Sequence, residues 1–147
     1  MNKLIDIKKS ILLLFLFNFA TIPEIYSGDT PSVAGTKIYF LNIKDGDVVK
    51  NPFVVQFGLN SQMGIAPALV DWPDTGHHHL IIDSPTPEPN KAIPSKSKNH
   101  IHLNGGQTEW KVDLPSGQHT LQLILGDYSH IPHDPPVLSE VITITVE

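Results

Sequence analysis

Seven short runs of strand-forming residues, each closed by a turn signal, constrain this chain more than any other feature. Residues 37–43, 53–59, 77–83, 100–103, 108–114, 118–125 and 141–146 are rich in Val, Ile, Leu, Thr and aromatic side chains. The run at 108–114 alternates with period two, and Leu121, Leu123 and Leu125 share one face of another, as in half-buried strands. Between the runs stand Asp45-Gly46, Asn51-Pro52, Asn104-Gly105-Gly106 and Pro115-Ser116-Gly117, residue types whose backbone preferences favour turns. No segment carries a convincing helical period. About seven strands in 147 residues point to one all-β domain, an immunoglobulin-like antiparallel sandwich of two sheets, with a small barrel as the alternative.

The N-terminus has the composition of a secretory signal. Lys3, Lys8 and Lys9 precede the apolar run 11–17, and Ile25-Tyr26-Ser27 offers a small-residue cleavage site before Gly28. The run is short for a membrane span, so cleavage is expected rather than a retained anchor. This divides the chain into a signal peptide at 1–27, a disordered leader at 28–36 and a His-rich domain at 37–147, located in the periplasm or secreted. No cysteine is present, which removes lipid attachment, disulfides and thiolate metal sites. All basic residues are Lys and the net charge is −5, a poor basis for nucleic-acid or phosphate recognition, where Arg forks and basic patches dominate.

Chemistry concentrates in Gly76-His77-His78-His79-Leu80-Ile81-Ile82-Asp83. On a strand, His77 and His79 point to one face while His78 joins Leu80 and Ile82 on the other. Two imidazoles so spaced can converge on one metal ion. The remaining histidines, His100, His102, His119, His130 and His133, all come later. Following chain direction through a seven-strand sandwich places Met63, His77, His79, His102, His130 and His133 at one pole, and His119 at the other. These six are the expected metal ligands. His78, His100 and His119 are lesser candidates, His78 being better explained as an inward hydrogen-bonded ring. His130 and His133 lie on a proline-stiffened loop, and Asp127 is either an outer acceptor for a histidine or a turn cap. Trp72 and Trp110 read as packing residues. No nucleophile motif, phosphate loop or dinucleotide fingerprint is present.

Several stretches go beyond composition: Gly64-Ile65-Ala66-Pro67-Ala68; Thr75 to Asp83; His102-Leu103-Asn104-Gly105-Gly106-Gln107-Thr108-Glu109; Gly117 to Leu123; and Leu125-Gly126-Asp127 with His130-Ile131-Pro132-His133-Asp134-Pro135-Pro136. On these the chain resembles a family of bacterial secreted proteins carrying a His-rich domain of unknown function, over roughly residues 37–147. It departs from that pattern at Leu69, where a glycine is expected, and at Leu103-Asn104, where Phe-Gly is expected. The resemblance implies motif boundaries and no activity.

The residues themselves point to an envelope metal-binding domain for binding, buffering or delivery. Copper is the first expectation, since copper(II) heads the affinity order and a Met63 thioether would suit copper(I). Zinc is the second, since several imidazoles suit it equally. The rivals are a non-catalytic structural or adhesion module with histidines as loop braces, and a metalloenzyme, which needs an open coordination position.

Overall fold

The computed structural model describes residues 30–147 except Ser61 and Lys96. The expected signal peptide, residues 1–27, therefore lies outside the described residues. The described chain is all-β, with nine strands: β1 (Lys37–Phe40), β2 (Val48–Val49), β3 (Phe53–Asn60), β4 (Gly64–Ile65), β5 (Thr75–Ile82), β6 (His100–His102), β7 (Glu109–Val112), β8 (Gly117–Gly126) and β9 (Ile142–Val146). They form a sandwich. One sheet has the order β1-β3-β7; the other runs β2-β9-β8-β5-β4, with β6 also paired to β5. The division of the strands between two packed sheets is immunoglobulin-like.

Period-two side-chain placement explains the main core. Val55 and Phe57 of β3 and Val112 of β7 face Leu80 and Ile82 of β5, Leu121, Leu123 and Leu125 of β8, and Ile142, Ile144 and Val146 of β9. Val54 and Gln56, one residue out of phase, are exposed. The central strands β5 and β8 behave differently, being buried on both faces along most of their length. Their outer face carries a second, smaller core of Ile81, Ile124, Ile93 and Leu138. Ile93 and Leu138 come from the long connections on either side of β6–β8, which lie over the sheet like a cover.

The seven expected strands are all present, and two short ones join them. β2 and β4 have two residues each and run parallel to β9 and β5, so the large sheet is mixed rather than wholly antiparallel. Ladders of two residues leave no detectable period in sequence. The leader expected to be disordered over 28–36 is described from Thr30 onward and runs along the loop after β8. Pro31 bridges Asp134 in parallel, and Ser32 N–H donates to the Asp134 carbonyl at 2.8 Å. Here a neighbouring backbone supplies partners to small polar residues. Trp72, expected as a packing residue, is 62 % exposed, while Trp110 is 37 % exposed.

Candidate metal centre

β5 starts at the upper pole and descends, β6 climbs beside it, and β8 climbs on its other side. Register then sets the site. His79 stands opposite His102 on β6, and His77 opposite Gly126 on β8. Directly opposed residues share a face, so His77, His79 and His102 point outward from the sandwich together. The loop after β8 brings in a fourth ring. His130 takes a left-handed backbone, φ 68°, which turns its imidazole back over the sheet. Its ring centroid lies 4.5 Å from that of His102, 5.0 Å from His77 and 6.0 Å from His79.

The nitrogens converge. His77 Nε2 is 2.9 Å from His79 Nε2 and 3.2 Å from His102 Nε2. One atom from each of these three rings falls within 4.8 Å of the others, so the cluster could hold a metal ion. A neutral ring nitrogen offers one proton or one in-plane lone pair, so His77 Nε2 cannot satisfy two facing imidazoles at once. Ligand nitrogens about 2.0–2.1 Å from a tetrahedral ion stand about 3.3 Å apart, close to the observed spacings. Buried unsatisfied nitrogens add to this. The Nδ1 atoms of His77 and His79 have no hydrogen-bond partner.

Electrostatics keep the rings neutral. Burial, then the facing His130 and His102, push the His77 pKa down to about 3; Asp127 opposes this in part. Burial, then His77, His102 and His130, lower His79 further. Burial lowers His102 too, with His130 adding to it. Neutral imidazoles present lone pairs, which is the ligating state.

Glycine makes the space. A β-carbon on Gly126 would stand 3.0 Å from His79 Nε2 and 3.1 Å from Ile93 Cδ1. Ile93 closes the other side, its N–H donating to the His130 carbonyl at 2.7 Å.

The other expected ligands lie elsewhere. Met63 is buried in the main core with Leu80, Leu103 and Phe57, on the His78 side of β5, and not among the gathered imidazoles. His133 is fully buried, yet its Nε2 would stand 2.8 Å from a β-carbon on Gly76, beside Leu125 on the core side of β5. Burial lowers its pKa, opposed in part by Asp127 and then by the Pro31 and Thr30 backbone, and neither ring nitrogen has a partner in hydrogen-bond geometry. His78 points into the core, 5.2 Å from the Phe57 ring, with Nδ1 3.2 Å from the Gln107 carbonyl oxygen. Burial lowers its pKa to about 4. His100 contacts Ser97 Oγ at 2.9 Å. His119 sits at the lower pole between Asp83 Oδ2 at 2.6 Å and the Pro115 carbonyl at 2.9 Å. Asp127 is the turn cap: Oδ1 accepts the Ser129 and Ile131 N–H groups, and Oδ2 accepts the Thr30 hydroxyl. No site role is read from sequence for Ile93 or Thr30, and Gly126 enters there only within the Leu125-Gly126-Asp127 stretch. Gly126 had a signal, a glycine ending a buried strand beside Asp127.

Residues 55–147, including every one of these histidines, match a family described as Domain of unknown function (DUF4399). The chain belongs to this family. No curated protein matches it. Among solved structures, an endo-beta-1,4-mannanase from Thermotoga petrophila is similar at 16 % identity and a TM-score of 0.45, over 79 % of this chain. The chain spans 20 % of that structure's length, and the likeness is too loose to carry over fold or activity.

Proposed function

We propose that the domain binds one divalent first-row metal ion among the imidazoles of its upper pole, as a binding, buffering or delivery protein of the cell envelope. His77, His79 and His102 are the ligands, and the half-exposed His130 is the fourth donor. The observation that carries this reading is the approach of His79 Nε2 and His102 Nε2 to His77 Nε2, at 2.9 and 3.2 Å. Nitrogen-only donors favour copper(II), which heads the affinity order. With Met63 on the opposite face of β5, the thioether argument for copper(I) no longer applies. Zinc is the second choice for an imidazole set. The envelope location rests on the signal-like composition of residues 1–27.

Native mass spectrometry of tag-free protein at neutral pH, with copper(II) and then zinc added, tests the proposal. One saturable ion per chain is expected, copper displacing zinc. Uptake of neither metal would leave a structural or adhesion module. The bonds of His78 to Gln107 and of His119 to Asp83 favour that role for those two residues.

A further inference from the structure

The loop that carries His130 is closed by a single residue. Asp127 N–H donates to the Ile131 carbonyl at 2.8 Å, and its own carbonyl accepts the His130 N–H at 2.9 Å. Its Oδ1 holds the amides on both sides of His130, Ser129 at 2.8 Å and Ile131 at 2.9 Å. The left-handed His130 is thus fixed by bonds to its own N–H and to both neighbours. The second carboxylate oxygen, Oδ2, is turned away and accepts the Thr30 hydroxyl at 2.8 Å, from a residue distant in sequence. Thr30 also reaches the far end of the loop, its carbonyl accepting the Asp134 N–H at 2.9 Å. One residue therefore grips the loop at 127 and at 134, with His130 between. From there Pro31 and Ser32 continue along Asp134 and Pro135.

We infer that Thr30 and Asp127 are positioning residues of the metal centre, and that the segment from Thr30 to Ser32 acts as a strap coupled to metal binding; the inference rests on the metal reading above. The two most buried ligands, His77 and His79, are fixed by strand register and need no such help. His130 comes from a loop, and its ring reaches the others only while the loop keeps this shape. A ligand held by outer hydrogen bonds binds with less ordering cost, and removing such a partner typically weakens metal affinity about 10- to 100-fold. Coupling is reciprocal, so an ion that gains from the ordered strap must stabilise the strap in turn.

The test uses tag-free full-length protein and copper(II) as the probe. Thr30→Val removes the hydroxyl and keeps the shape; Thr30→Ser restores it. Thr30→Val should bind copper about 10- to 100-fold more weakly, with one fewer nitrogen coupling in its electron paramagnetic resonance spectrum, and Thr30→Ser should recover both. In a background already carrying His130→Ala, Thr30→Val should cost nothing further, because the two residues act through one ligand. In the metal-free protein, Thr30→Val should speed hydrogen exchange at the Ser129 and Ile131 amides. Copper should slow exchange in the wild-type strap. Unchanged affinity and spectrum in Thr30→Val, or losses that add fully to those of His130→Ala, would overturn the inference while the metal reading stands. Failure of the wild-type protein to take up copper would overturn both.

Discussion

The paired strands β5 and β8 place histidines at opposite poles, β5 at the upper and β8 at the lower, and the two sets are opposites. At the lower pole, His119 lies against a carboxylate and a carbonyl, so both ring nitrogens have partners. Its hydrogen bond to Asp83 is the main cause of a raised pKa. At the upper pole, His77, His79, His102 and His130 face mainly one another, and burial lowers the pKa of His77 and His79 far below the ordinary range. A partnered imidazole has become a brace, while imidazoles that face each other keep lone pairs to offer. Neighbours therefore decide what a histidine is for, and residue type alone does not.

Ligand removal should break that comparison most visibly. His79→Ala is expected to lower copper or zinc affinity by more than the 10- to 100-fold typical of losing an outer partner, while His119→Ala leaves it nearly unchanged. Isothermal titration of both variants checks this, and equal losses would erase the distinction between the poles. Filling space comes next. Gly126→Ala places a methyl 3.0 Å from His79 Nε2. It should weaken metal binding and cost about 1–3 kcal/mol of stability through overpacking, measurable by denaturant titration with and without metal.

Acidity separates the poles by sign. His77 and His79 are neutral when folded but gain protons when unfolded below about pH 6.5, so metal-free stability should fall as pH drops from there toward 4. The raised His119 works the other way. Its contribution is fully present below about pH 6.5 and fades as pH rises through its folded pKa. The gap in melting temperature between wild type and His119→Gln should therefore narrow toward alkaline pH; a gap that widens would contradict the brace. The smallest effect lies just outside the site. Leu69 is 77 % exposed and has φ 66°, a left-handed backbone that a β-carbon disfavours. Leu69→Gly should gain about 0.5–1 kcal/mol in thermal unfolding without altering metal affinity.

That same φ suits the glycine that the family resemblance implies at Leu69. Much of the site was legible in similar ways. Alternation along 77–83 separates His77 and His79 from His78, and strand direction brings His102 and His130 to the same pole. Topology gives height in a sandwich, however, and not the face on which a loop residue lands. Met63 and His133 are at the expected end but on the core side of β5, Met63 within the main core and His133 beside Gly76 and Leu125, although His133 shares its loop with His130. Thr30 was hidden for another reason. Its partner is far along the chain, and no local pattern encodes a single hydroxyl–carboxylate bond.

The short strands at the edges of the large sheet bear on how this protein meets others of its kind. The large sheet ends in β2 on one side and in β4 and β6 on the other, elements of two or three residues. The long central strands are enclosed between them. A second chain seeking to extend this sheet would find only a few free rungs of backbone, a common safeguard against edge-to-edge aggregation. A strand rich in imidazole and isoleucine is thereby sheltered from amyloid-like growth along this sheet.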